Sequence, residues 1–130
     1  MARARILLIE DDPAIAEMYR LRLEAPGWQV EVAYDGESGL RVALDSPPDL
    51  VLLDMMLPAL DGIGVLHAMR ANQQTQEVPV LVISNSAGLT GKETEARQLG
   101  IEDWLVKSKT TPGQLAERAA LILDRQRQDA

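Results

Sequence analysis

Cysteine is absent from this chain of 130 residues, so disulfides and thiolate metal sites are excluded. Phenylalanine is absent as well, and two Trp and two Tyr are the only aromatics. The core must therefore be packed from aliphatic side chains. The hydrophobic content of 46 % supplies them and argues against disorder. No apolar run approaches the ~20 residues of a membrane span, and the Met-Ala-Arg-Ala-Arg start lacks the hydrophobic region of a signal peptide. Basic charge is in deficit, with 13 Lys and Arg against 20 Asp and Glu, a formal −7 with the single His neutral. Such a surface repels nucleic acid unless its basic residues cluster. Here they are spread out, as Arg3 and Arg5, Arg20 and Arg22, Lys107 and Lys109, Arg125 and Arg127. One cytoplasmic domain over 1–130 is expected, with no output domain in the chain, no direct contact with nucleic acid and none with a membrane.

What the chain does contain is a fivefold alternation of apolar strand-like runs and helix-like stretches. Strands are predicted at 6–9, 28–34, 50–53, 78–84 and 101–106. Helices are predicted at 13–25, 36–44, 60–71, 90–99 and from 112 to about 127. Pro26-Gly27, Pro47-Pro48 and Gly100 close three of the helices. In the first helix Ala14, Met18, Leu21 and Ala25 share one face; in the third Ile63, Leu66 and Met69/Arg70 recur at helical spacing; in the fifth Leu115, Ala119 and Ile122 point inward. Regular βα alternation implies an α/β fold, a doubly wound five-stranded parallel sheet with helices on both faces. The first, third and fourth strands are continuously apolar, as strands covered on both faces must be. The second, WQVEVAY, alternates as an edge strand does. The order 2-1-3-4-5 satisfies both, and its topological switch lies between the first and third strands, where ligands bind beyond the carboxyl ends.

Those ends carry acids. The first strand runs into Glu10, Asp11 and Asp12, and LVLLD at 50–54 brings Asp54 beside them. Carboxylates converging on one strand edge either raise a pKa or hold a cation. Oxygen-only donors suit a hard divalent ion, Mg2+ (or Mn2+), which takes one or two carboxylates and leaves room for a phosphoryl oxygen. An Asp in such a site can act as a nucleophile toward phosphorus and form an aspartyl phosphate. The ends of the fourth and fifth strands add a hydroxyl, Ser84, and a cation, Lys107, suited to the oxygens of the transferred group.

The acidic Glu10-Asp11 after ILLI, LLDMMLPALDG at 52–62, Ser84 and DWLVK at 103–107 stand in order at successive strand ends. In these motifs, and over essentially its whole length, the chain resembles the flavodoxin-like (βα)5 receiver domain of two-component response regulators. The resemblance implies a phosphoryl-accepting switch, a phosphoprotein of a signalling phosphorelay. Asp54 would be charged from a phosphohistidine on a sensor histidine kinase or a histidine phosphotransfer protein. Mg2+ would be held by Asp11, Asp54 and the backbone carbonyl of Met56, with Glu10 acting through water. Lys107 and Ser84 would bind phosphoryl oxygens. Ser84 and an aromatic on the fifth strand, Trp104, would move together as the switch. A downstream protein, or a phosphorylation-dependent second copy, would read the face of the fourth helix, fifth strand and fifth helix. The chain would be no enzyme beyond catalysing its own phosphorylation and dephosphorylation. It departs from the family at Asn85, usually Ala or Gly, at Ser108, usually Pro, and at Trp104, usually Tyr or Phe.

Simpler readings stand beside these. Asp12 before Pro13 reads as a helix cap, and Asp54 could cap its loop. Ser84 could be an ordinary strand-end hydroxyl, Lys107 a solvated surface lysine and Trp104 a core-edge aromatic. Pro58, Asp61 and Gly62 shape a loop, and His67, with no acid at ligand spacing, reads as structural or surface. A dehalogenase-like phosphatase would need an acid two residues after the nucleophile, where this chain has Met56. A flavin binder would need an anion-friendly loop where the three acids stand. A degenerate receiver serving only as an interaction scaffold is the remaining alternative.

Overall fold

Five short aliphatic segments pair in parallel to form one sheet, and each crosses to the next through a helix. The computed structural model describes residues 3–85 and 91–129, with side chains as far as residue 126. The elements in chain order are β1 (Arg5–Ile9), α1 (Pro13–Glu24), β2 (Gln29–Ala33), α2 (Gly36–Asp45), β3 (Leu50–Asp54), α3 (Gly62–Ala71), β4 (Val80–Ser84), α4 (Lys92–Gln98), β5 (Asp103–Val106) and α5 (Pro112–Asp129). A 3-10 turn, Lys107–Lys109, joins the last two. The sheet order is β2-β1-β3-β4-β5, as the strand composition required. β1, β3 and β4 are buried almost throughout, whereas β2 and β5 at the edges are only half covered.

Strand alternation divides the core. Ile6, Leu8, Leu50, Leu52, Leu81 and Ile83 face α1 and α5, packing on Tyr19, Leu23, Leu115 and Ile122. Leu7, Ile9, Val51, Leu53, Val80 and Val82 face the other way, onto Val65, Leu66, Met69, Ala96 and Trp104. Each buried aliphatic side chain contributes roughly 1.5–3 kcal/mol, so two such layers need no aromatic core.

The first helix turns a different face inward from the one its aliphatic spacing suggested. Met18 and Leu21 are 46 % and 58 % exposed, and Ala14 and Ala25 are exposed as well. Ala16, Tyr19 and Leu23 are buried instead. The helix carries two apolar stripes, and the cap decides between them. Asp12 accepts hydrogen bonds from the N–H groups of Ala14 and Ile15, at 2.9 and 3.3 Å, which fixes the helix phase immediately after β1. α3 starts two residues later than expected because Asp61 caps it, accepting from the Gly64 N–H at 2.9 Å. The expected start of the fourth helix at Thr90 lies outside the described residues, within which α4 begins at Lys92. His67 does meet an acid, since its Nε2 lies 2.6 Å from Glu95 Oε2 across α3 and α4. No sequence spacing could reveal that contact. No helix among the described residues is long and apolar enough to cross a membrane.

The loop after β3 is pressed against the start of α2. The Gly36 N–H donates to the Pro58 carbonyl at 3.2 Å, and a Cβ at Gly36 would lie 1.6 Å from the Leu60 carbonyl oxygen. In the same loop Ala59 adopts a left-handed φ of 69°, which costs a non-glycine residue roughly 1–2 kcal/mol. Two substitutions here should have opposite signs. Urea unfolding should show Gly36→Ala destabilising the chain by roughly 3 kcal/mol, because backbone must move. Ala59→Gly should stabilise it by roughly 0.5 kcal/mol, relief of strain less the entropy of the freer unfolded chain.

Candidate functional site

Register, set far from the site by aliphatic packing, delivers the polar residues to one edge. Ile9 pairs with Leu53, so Glu10 emerges beside Asp54; Ser84 pairs with Val106, so Lys107 emerges one residue beyond. Alternation then sorts them. Glu10, Asp54 and Lys107 continue the rows that face α1 and α5, whereas Ser84 and Trp104 belong to the opposite rows. The three groups on the first side meet. Lys107 Nζ donates to Glu10 Oε1 at 2.6 Å and to Asp54 Oδ2 at 2.9 Å. Asp54 Oδ1 accepts from the Met56 N–H at 3.1 Å, and Glu10 Oε2 from the Asp12 N–H at 3.1 Å.

Asp11 is exposed, yet one of its carboxylate oxygens lies with those of Glu10 and Asp54 in a group whose members are all within 4.8 Å of one another. These residues line a cleft of about 610 Å³, with Met56, Asn85 and Lys92 on its walls.

Burial dominates the electrostatics. It raises the Glu10 carboxyl from its usual 4.5 to about 7, against the opposing pull of the Lys107 and Asp12 hydrogen bonds. On Lys107 burial acts downward, but the hydrogen bonds and charges of Glu10 and Asp54 outweigh it and hold the ammonium above its usual range. One lysine thus compensates two buried carboxylates incompletely, with a third beside them. The deficit, and a donor set made only of oxygen, fit a small divalent cation, and the cluster of Glu10, Asp11 and Asp54 fits a receiver-type Mg2+ site.

Residues 6–120 match the family of the response regulator receiver domain. The chain belongs to that family. Similar curated proteins include the DNA-binding dual master transcriptional regulator RpaA of Synechocystis, 36 % identical over 118 residues that cover 91 % of this chain and 48 % of RpaA. The transcriptional regulatory protein QseB of Haemophilus influenzae is 40 % identical over 118 residues, covering 91 % of this chain and 50 % of QseB. The chain therefore spans about half the length of the curated relatives it matches. Among solved structures, a CheY-like receiver domain protein from Methanospirillum hungatei superposes with a TM-score of 0.89 at 26 % identity, covering 99 % of this chain and 100 % of that one. The receiver domain of a sensor histidine kinase from Pseudomonas aeruginosa, solved with a magnesium ion coordinated in its active-site cleft, superposes at 0.80 and 30 % identity, covering 95 % and 97 %.

The receiver's remaining expected residues fall on both sides of the sheet edge. Met56 follows Asp54 on the cleft wall with its side chain exposed. Ser84 is buried at the end of β4, and it is Asn85 that reaches the cleft. Trp104 is packed inward, 8 % exposed, in the core beneath α3 and α4. Among the described residues there is no cis peptide bond, so Lys107 enters Ser108 through a trans one. Three features escaped the sequence reading. Tyr19 lies close enough to feel the charges of Lys107, Glu10 and Asp54, although burial is what chiefly raises its hydroxyl pKa. Arg70 donates to the backbone carbonyls of Thr75, Gln76, Val78, Leu99 and Gly100, tying the end of α4 to the end of α3. Lys92 stands on the cleft wall. None of these carries a motif or a spacing that could have announced it.

The Glu10 proton makes a pH prediction for the metal-free receiver. The folded protein keeps it up to about pH 7, and the unfolded chain loses it near 4.5, so the folded state binds more protons between those values. Stability contributed by this group is complete below about 4.5 and is lost as pH rises to 7. In EDTA, urea midpoints measured across that window should fall less steeply with rising pH for Glu10→Gln than for the parent. Parallel curves would place the proton elsewhere.

Proposed function

We propose that this receiver is a phosphoryl-accepting switch in which Asp54 is the acceptor. The observation that carries the reading is the Lys107 ammonium bridging Glu10 and Asp54, with the Asp11 carboxylate in the same cluster. An Asp54 oxygen attacks phosphorus, and the P–N bond of a donor phosphohistidine breaks with its electron pair returning to the imidazole. Asp54 is buried, with its carboxylate oriented by the Met56 N–H. Lys107 follows the charge as it moves from the carboxylate to the phosphoryl oxygens. Mg2+ (or Mn2+), held by Asp11, Asp54 and the Met56 carbonyl with Glu10 through water, would supply further positive charge for those oxygens.

The donor is a sensor histidine kinase or a histidine phosphotransfer protein, and the chain turns over nothing but its own phosphoryl group. The new charge of about −1.5 to −2 biases Ser84 and Trp104 and, through them, the face formed by α4, β5 and α5. Trp104 is already inward, so phosphorylation would hold that arrangement rather than create it. A downstream protein or a second copy reads this face in the cytoplasm. A net charge of −7 leaves nucleic-acid contact to another domain or partner, as would suit relatives named as DNA-binding regulators. A degenerate scaffold finds no support, because Asp11, Asp54 and Lys107 are all present and gathered.

Intact-mass measurement tests the reading. With Mg2+ and acetyl phosphate the chain should gain one phosphoryl group, EDTA should abolish that gain, and Asp54→Asn should gain none. Equal labelling of Asp54→Asn would move the acceptor elsewhere.

A further inference from the structure

The charges around the cleft are accounted for except Asp11 and Lys92, and the cation left over is informative. Five acids line it: Glu10, Asp11, Asp12, Asp54 and Asp61. Glu10 and Asp54 share Lys107, while Asp12 and Asp61 are committed to the N–H groups of α1 and α3. The same census along α4 pairs Glu93 with Arg97, Arg97 also with Asp103, and Glu95 with His67. Lys92, the first residue of α4, is half-buried on the cleft wall. Its ammonium makes no hydrogen bond or ion pair among the described residues. A cation held in a cleft lined by acids, yet paired with none of them, faces a space that the fixed carboxylates do not fill.

We infer that Lys92 is a second cation for the phosphoryl group on Asp54, completing with Lys107 a two-sided clamp on its oxygens. The inference rests on the proposed acceptor role of Asp54 and adds to it a residue from outside the recognised motifs. Lys107 approaches from β5 and already divides its ammonium between two carboxylates. An added dianion exceeds what one lysine can neutralise. Lys92 approaches from α4, so the contact would draw the first turn of that helix toward Asp54. The group being recognised is then sensed by an element of the output face itself.

Beryllofluoride, a phosphoryl mimic, isolates this step from chemistry. Titrations of the chain with Mg2+ alone and with Mg2+ plus beryllofluoride, followed by calorimetry, should be made on the parent, Lys92→Gln and Lys92→Arg. Lys92→Gln should weaken beryllofluoride binding roughly fivefold, the value of one unit charge near contact in water. Lys92→Arg should restore it to within about twofold. Binding of Mg2+ alone should be unchanged or slightly tighter in Lys92→Gln, because a neighbouring positive charge has gone. Undiminished beryllofluoride binding by Lys92→Gln, with the parent binding normally, would overturn the inference and leave Asp54 as acceptor. Weakening of Mg2+ and beryllofluoride together would overturn it as well, by making Lys92 a structural residue. A parent that binds no beryllofluoride would bring down both readings.

Discussion

The structure turns on a single ammonium group. Glu10 and Asp54 are both buried at adjoining strand ends, 44 positions apart in the chain, and Lys107 arrives from a third strand to stand within hydrogen-bonding distance of each. Two uncompensated carboxylates in such a place would cost several kcal/mol. The lysine offsets that cost only in part, as the raised Glu10 pKa records. The site is therefore left acidic enough to favour a further cation. An ammonium has three donors; two are used here, and the third remains for an incoming oxygen.

That arrangement is built by packing. The polar groups are placed by rows of Ile, Leu and Val whose alternation was fixed along the strands. Rows running through Leu8, Leu52 and Leu105 end in Glu10, Asp54 and Lys107, and rows running through Val82 and Trp104 lead to Ser84 and Val106. Because the period is two, slipping any of these strands by one residue would send its functional group to the wrong side. The aliphatic core is thus also the alignment device of the site. The Gly36 contact with Leu60 and the cap supplied by Asp61 do the same for the loop that follows Asp54.

Much of this was legible in the sequence, for a physical reason. Strands covered on both faces must be continuously apolar, so LVLL and ILLI announced interior positions, and QVEVA announced an edge. The order of strands followed, and with it the meeting of Glu10, Asp11 and Asp54. What stayed hidden depends on phase or on contacts between distant surface residues. α1 has two apolar stripes, and spacing alone could not choose the Tyr19 and Leu23 stripe over that of Met18 and Leu21. Arg70 binds carbonyl oxygens, which have no signature in side-chain chemistry. Glu95 reaches His67, and Lys92 reaches the cleft, through the placement of a seven-residue helix that no periodicity could locate. Ser84 is the strand end that the sequence announced, but no spacing could show that Asn85 lines the cleft.

The central claim is that Asp54, Asp11 and Lys107 form one site that takes up a divalent cation and a phosphoryl group together. A crystal structure of the chain soaked in Mg2+ and beryllofluoride tests it most directly. The account predicts beryllium bonded to an Asp54 oxygen, a cation at ~2.1 Å from carboxylate oxygens of Asp11 and Asp54, and Lys107 shifted from Glu10 onto a fluorine. A vacant cleft, or a cation held without Asp54, would contradict it.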